Sequence, residues 1–364
     1  MRVVQVTPRY FPSMGGVEVV VQKISKTLVE RGIQVTVFSV DRSLNLPTVE
    51  NIEGVVVKRF TPIFGDPFYL PEPKFVASLR GEKGDIVHVH NIHTLPPFVA
   101  ALCKRDDQKL VLQPHYHRYG QSPFRQALFQ FYKRGSDSLV FPRTDIVITN
   151  STYENNIFRE DFSDARNVFL VPEGVDVDDA TRFEHKPADP KRILYVGALK
   201  RYKNVDKILE GFAHLVAGGN NNYRLVIVGE GAELNSLFSL ASALGVGKFV
   251  QWKSRLSRQQ LLGEYAQASV LVLLSPLESF SRVVFDALVI GVPVVVLNFG
   301  AFRHLVEAGY AEGVNSLRQE NIAQALLEAT RKRYARLSLS SDEFLNWETY
   351  SNRIVSIYEK LAES

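Results

Sequence analysis

Short apolar runs of strand length alternate with stretches of helical period along this chain, and the alternation runs twice. In the first half the strand candidates are Val3–Thr7, Val35–Val40, Val55–Phe60, Ile86–His90, Leu110–Gln113, Ile146–Thr149 and Val168–Val171. Val17–Arg31 carries apolar residues at helical spacing and stops at Gly32. In the second half Ile193–Val196, Leu225–Val228, Val270–Leu274 and Val292–Leu297 read as strands, with helices over Val205–Val216 and Ala232–Leu244. Parallel strands need long crossovers, and crossover helices cover both faces of a sheet. The pattern therefore predicts an α/β chain with two Rossmann-like parallel-sheet domains. Residues 150–190 are polar and rich in turn formers, VPEGVDVDD followed by HKPADP, and are expected to hold the hinge. The domains are drawn as 1–174 and 175–347, and a last helix is expected over Phe344–Leu361. Ligands of such sheets lie outside the carboxyl ends of the strands, here in the cleft expected between the two halves.

A chain of 364 residues has room for two such domains. Hydrophobic content of 45% and charged content of 23% fit an ordinary soluble protein. A net charge of +4 suits anionic substrates or a membrane surface but is too weak to imply nucleic acid. The one cysteine, Cys103, excludes an intramolecular disulfide and fits a reducing compartment. The N-terminal apolar run is short and reads as a first strand rather than a signal peptide. No apolar stretch reaches bilayer length. The expected location is cytoplasmic, with contact to a membrane surface left open.

The richest segment is Ser275–Val296, SPLESFSRVVFDALVIGVPVVV. It reads as a polar turn, a helix, Gly-Val-Pro and a buried strand. Glu278 lies in the turn and Asp286 eight residues on, a little over two helical turns, so both acids can share one side. The helix start near Ser281 offers free N–H groups and a partial positive charge. Carboxylates beside an anion-friendly helix end suit a ligand with hydroxyls and phosphates, such as a sugar nucleotide. Both acids can equally be read as capping and solvating the helix.

Other candidates stand on loops. Gly15-Gly16 lies between a strand and a helix, where glycines let backbone approach a ligand; an ordinary tight turn is the alternative. Lacking the GxGxxG spacing, the loop is a poor dinucleotide site. Lys203, in Lys200-Arg201-Tyr202-Lys203-Asn204, can neutralise phosphate or simply be solvated. His88 and His90 share one face of a strand, but they lack acidic or cysteine partners for a metal site. His115 follows a strand, where functional loops fall, or else is a structural histidine. Asp176-x-Asp178-Asp179 resembles a metal-binding DxD, yet it sits in the hinge and reads as turn chemistry. Residues 116–143 interleave aromatic and basic side chains. They suit a membrane-surface helix or a core helix with solvated cations.

Taken in order, Gly15-Gly16-Val17-Glu18, His115 in QPHYH, VPEGVD, VGALKRYKN, VGEG, the Ser275–Val296 segment and Asn346-Trp347-Glu348 resemble glycosyltransferase family 4, the retaining glycosyl transferases group 1 of GT-B fold. The resemblance covers nearly the whole chain. It implies a nucleotide-sugar donor, UDP- or GDP-linked, bound by the second domain, and a carbohydrate or lipid-linked acceptor on the first. The last helix, 348–364, would pack back on the first domain. No metal or cofactor is implied, since the nucleotide sugar is the substrate. By resemblance Gly15 and Gly16 face the diphosphate, Lys203 binds it, His115 and Glu278 flank the transferred sugar, and Asp286 holds the ribose. The cation expected after Gly197 is replaced by Ala198, with Arg201 a candidate substitute. Asp286 stands where the family has a glutamate, and Ser279 and Ser281 stand where glycines are common. Phe280 and Ser281 belong to the same donor-side turn, Phe280 as packing. A non-catalytic GT-B paralogue and a sugar-nucleotide epimerase are the competing readings.

Overall fold

The seven apolar runs of the first half become strands of one eight-stranded sheet. Its order is Val168–Leu170, Ile146–Thr149, Lys109–Gln113, Ile86–His90, Arg2–Thr7, Gln34–Ser39, Val55–Arg59, Val49–Ile52. All neighbours are parallel except the last pair, which is antiparallel. The eighth strand, VENI, escapes the sequence reading because it is a half-exposed edge without an apolar run. The structure is a computed structural model that describes residues 1–13, 15–41, 45–254, 256–332, 334, 337 and 344–363, with backbone alone at 178.

The second sheet has six parallel strands in the order Val250–Lys253, Tyr223–Val228, Lys191–Val196, Val270–Leu273, Val294–Leu297, Glu312–Val314. This is the doubly wound order in which the chain starts at the centre and winds out to each side. Val270–Leu273 is buried at every position, as a central strand covered on both faces must be. The half-exposed edge strand VQWK has no comparable signal. Helix Arg258–Gln267 follows it, opened by a capping box in which Ser257 and Gln260 satisfy each other's backbone N–H.

Two units result, Met1–Gly174 with Ser340–Ser364, and Val175–Leu339. The last helix, Trp347–Glu363, belongs to the first unit. Its Tyr350, Ile354, Val355 and Tyr358 share a core with Val3, Val20, Ile24, Val111 and Ile148. Burying each of the aliphatic side chains contributes about 1.5–3 kcal/mol. Asn346 opens this helix by accepting from the Thr349 N–H at 2.8 Å. Gly174 is required beside it, because a Cβ there would lie 2.7 Å from the Trp347 ring.

The chain passes from the first unit to the second at Gly174–Val175, within the 150–190 stretch expected to hold the hinge. Residues up to Leu170 form helix Thr152–Asp161 and a sheet strand. That helix looks like loop in sequence because only Glu154, Ile157 and Phe158 are buried on it.

Each sheet has one point where the strand order reverses, and ligands of open α/β sheets gather there. In the first unit the reversal falls between Arg2–Thr7 and Ile86–His90. The loop carrying Gly15-Gly16 leaves the first of these. In the second unit it falls between Lys191–Val196 and Val270–Leu273, whose following loops carry Lys203 and Glu278.

Candidate functional site

In the second unit the loop after Lys191–Val196 is shaped by glycine. Gly197 and Gly229 both have φ +155°, and a Cβ on Gly229 would lie 1.9 Å from the Gly197 carbonyl oxygen. Only glycine permits that approach. The loop ends in the turn Arg201–Lys203 and then Asn204, at φ 55°. Asn204 donates to the Leu274 carbonyl at 2.8 Å, tying this turn to the end of Val270–Leu273.

That tie brings Lys203 and Glu278, 75 residues apart, into a direct ion pair. Both side chains are mostly buried. Burial works against the lysine's charge, but Glu278 and Tyr202 carry its pKa above the ordinary value. The ammonium also lies 5.1 Å from the centre of the Tyr202 ring. Arg201 is exposed in the same turn. Phe280 stacks on Phe285 at 4.3 Å between ring centres, so it braces the turn. Ser281 is buried and gives helix Arg282–Ile290 no side-chain cap.

Asp286, to which the resemblance gave a ribose contact, lies in an internal ion pair. It is only 4% exposed, and both of its oxygens accept from Arg258, Oδ1 at 2.8 Å. Burial raises its pKa and Arg258 opposes the rise. The guanidinium also lies 3.6 Å from Asp176, with Arg282 3.8 Å from the same carboxylate. Asp176 of the DxD-like string thus belongs to a charge cluster. Asp179 lies 3.7 Å from Arg182; the Asp178 side chain is outside the described residues. Nothing in the spacing of Arg258 and Asp286 announced this pair.

In the first unit Gly15 precedes helix Gly16–Glu30 as its N-cap. A Cβ on Gly15 would lie 2.2 Å from Glu18 Oε2, while Arg9 pairs with the other oxygen, Oε1, at 2.8 Å. A Cβ on Gly16 would meet nothing within 4 Å, so that side of the loop is open.

His115 follows Lys109–Gln113 with φ 47°, a left-handed conformation that non-glycine residues avoid. Its ring lies in a buried chain of hydrogen bonds. The Gln5 side-chain carbonyl can only accept, so His90 Nε2, 2.7 Å away, carries the proton. His90 Nδ1 then accepts from His115 Nε2 at 3.3 Å, and His115 Nδ1 accepts from the Asn150 amide at 2.9 Å. Burial pushes the His115 pKa down to about 3, and burial with neighbouring imidazoles pushes His90 well below its ordinary value. Both rings are therefore neutral. With both nitrogens engaged, the imidazole has no free donor or acceptor for a substrate hydroxyl in this state. Its C–H edge and backbone remain.

Gln113 extends the chain by donating to Asn150 and, at 2.7 Å, to the Tyr350 hydroxyl. Tyr358 joins Gln5 to His88. His88 and His90 are thus engaged internally. Among the described residues, no group of three or more His, Cys, Asp or Glu side chains is arranged to hold a metal ion.

Helix Pro123–Gly135 buries Phe129 and Tyr132 and exposes Phe124 and Phe131, 61% and 66% accessible. Lys133 pairs with Asp161 and Arg125 with Asp66, while Arg134 is exposed. Among the described residues, no helix is long and apolar enough to cross a membrane.

The family model for Glycosyltransferase Family 4 matches residues 14–179, and that for Glycosyl transferases group 1 matches residues 176–340. The chain belongs to the family 4, group 1 glycosyltransferases and has the GT-B fold. It is similar to D-inositol 3-phosphate glycosyltransferase 1 of Catenulispora acidiphila, 26% identical over 383 residues that cover 96% of this chain and 91% of that protein. Among solved structures it resembles the sucrose-phosphate synthase of Thermosynechococcus elongatus, with TM-score 0.80, 20% identity and 100% of both chains covered. It also resembles Anabaena HepE in complex with UDP-glucose, with TM-score 0.72, 17% identity, and 99% of this chain and 100% of that one covered.

Proposed function

We propose that this glycosyltransferase moves a sugar from a UDP- or GDP-sugar to a hydroxyl of a glycan, lipid-linked or small-molecule acceptor, with retention of anomeric configuration. The observation that carries the reading is the Lys203–Glu278 pair at the order reversal of the second sheet. A cation and a carboxylate side by side match a donor that presents a diphosphate next to a hydroxyl-bearing sugar. On binding, Lys203 exchanges Glu278 for phosphate and Glu278 turns to sugar hydroxyls, so neither charge is left buried and unpaired. Exposed Arg201 and the uncapped start of helix Arg282–Ile290 add positive potential. The UDP-glucose held by HepE on the same fold supports a nucleotide-sugar donor.

In the proposed reaction the bond from the anomeric carbon to the phosphate oxygen breaks on the face where the acceptor oxygen bonds. The leaving phosphate takes the acceptor's proton. Stabilisation of that phosphate by Lys203 and helix amides is the main catalytic device. His115 joins as a neutral group on a strained loop, not as a general base. No metal or cofactor is used. Exposed Phe124, Phe131 and Arg134 support peripheral contact with a membrane carrying a lipid-linked acceptor.

The test is nucleotide release from a panel of UDP- and GDP-sugars, with and without excess EDTA, and proton NMR of the product's anomeric configuration. Release from at least one donor, unaffected by EDTA and with configuration kept, is expected. No release from any donor contradicts transfer and favours a binding module; release of an epimerised sugar favours the epimerase.

A further inference from the structure

Glu154 lies outside every motif above, yet it is fully buried and both its oxygens are used. Oε1 accepts from the Tyr116 backbone N–H, and Oε2 from the Asn150 backbone N–H at 2.7 Å. Tyr116 directly follows His115, and the Asn150 side chain donates to His115 Nδ1 at 2.9 Å. One carboxylate therefore holds His115 twice, through the backbone beside it and through the residue that grips its ring. The two amides come from different loops, one after Lys109–Gln113 and one after Ile146–Thr149. A non-glycine residue at φ 47° is strained and persists only where its surroundings over-determine it. Glu154 is itself fixed in the first turn of helix Thr152–Asp161, where its N–H donates to Ser151 Oγ at 3.1 Å.

We infer that Glu154 is a positioning residue for glycosyl transfer: as a carboxylate it fixes the His115 loop and ring, and on protonation it loosens them. The inference rests on the catalytic reading of His115 given above. Ionised, Glu154 has an acceptor for each amide. Protonated, one oxygen becomes a hydroxyl and the charge is gone, so both amides are held by weaker, neutral acceptors.

Burial pushes the Glu154 pKa up to about 7, with the Asn150 and Tyr116 amides opposing the rise. The buried carboxylate Glu173, whose backbone N–H donates to the Asn150 carbonyl at 2.9 Å, faces Tyr350 from the next strand end. Tyr350 of the last helix feels the Glu154 charge but has its pKa raised by burial. The Tyr116 hydroxyl, bonded to Asp161, is likewise raised. His115 and His90 stay neutral, and Asp161, which also pairs with Arg118 and Lys133, is lowered. Turnover should therefore rise with pH through about 7 and level above it.

The experiment uses the full chain, nucleotide release from its active donor, and ¹⁵N-histidine NMR. Glu154→Gln keeps the shape but turns one acceptor into a donor. It should lower kcat on the order of 10–100-fold, leave nucleoside diphosphate affinity unchanged and remove the inflection near 7. In wild type the neutral His115 ring should show the Nε2–H tautomer, and its signals should move near pH 7 without imidazole protonation. Unchanged kcat in a folded Glu154→Gln variant overturns the inference, as do wild-type His115 signals constant between about pH 6 and 8. The wild-type NMR arm decides the matter if the variant does not fold. Full turnover in His115→Ala would instead sink the reading of His115, while the ring's response to Glu154 could still be seen.

Discussion

Lys203 and Glu278 in the second unit are a mostly buried ion pair on two loop ends, whereas His115 in the first unit is a neutral ring inside a chain of hydrogen bonds. The two arrangements suit different work. Paired opposite charges can exchange partners with a ligand that carries phosphates and hydroxyls, because each charge finds a new partner. A ring with both nitrogens engaged cannot exchange without leaving buried polar groups unsatisfied, so it suits a fixed wall or a held loop. The strands repeat the contrast. Val270–Leu273 and Val294–Leu297 are apolar throughout, while the first sheet carries Gln5, His88, His90, Gln113 and Thr149 buried on its strands. One unit keeps its polarity at the loop ends; the other threads it through the core.

The comparison is broken most severely by Glu278→Ala. Losing the carboxylate should reduce turnover on the order of 10²–10³-fold while bare nucleoside diphosphate still binds, as steady-state kinetics and calorimetry would show. Equal losses in both would mean that Glu278 serves the nucleotide rather than the sugar. A smaller effect is expected in the first unit's glycine loop. Gly16→Ala adds a methyl into open space and should leave the melting temperature unchanged while lowering turnover roughly tenfold. Gly15→Ala should also lower stability, because its Cβ collides with the Glu18 carboxylate. If Gly16→Ala keeps full turnover, no ligand approaches that face.

The smallest effect is the pH dependence of stability that Glu154 imposes. Its folded pKa, about 7, lies above the ordinary 4.5. Its stabilising contribution is therefore fully present below about 4.5 and is lost as pH rises through about 7. Glu154→Gln has no such loss. Its melting temperature relative to wild type should climb by a few degrees across that window. A gap that stays constant with pH would contradict a buried ionising Glu154.

How much was legible follows from where each residue sits. Central strands covered on both faces must be apolar throughout, so runs such as Val270–Leu274 stand out. Edge strands such as VENI and VQWK need no apolar run and leave no trace. Lys203 and Glu278 could be linked because strand-end loops at an order reversal converge. The Arg258–Asp286 pair could not, since no spacing rule joins a helix start to a residue 28 positions later. The network around His115 did leave a signal in Gln5, His88, His90 and Gln113, polar residues inside runs that should be buried on both faces. Glu154 left one too, as the last residue of Ser151-Thr152-Tyr153-Glu154, a capping pattern at a helix start.

The most direct test of the central claim, that the second unit's charges hold the donor while the first unit's neutral network does not, is calorimetric titration of UDP and GDP into wild type, Lys203→Ala and His115→Ala. A charge-assisted phosphate contact contributes about 1.5–3 kcal/mol. Lys203→Ala should therefore bind the preferred nucleotide roughly 10- to 150-fold more weakly, and His115→Ala should match wild type. Undiminished binding by Lys203→Ala, or an equal loss in His115→Ala, would contradict the account.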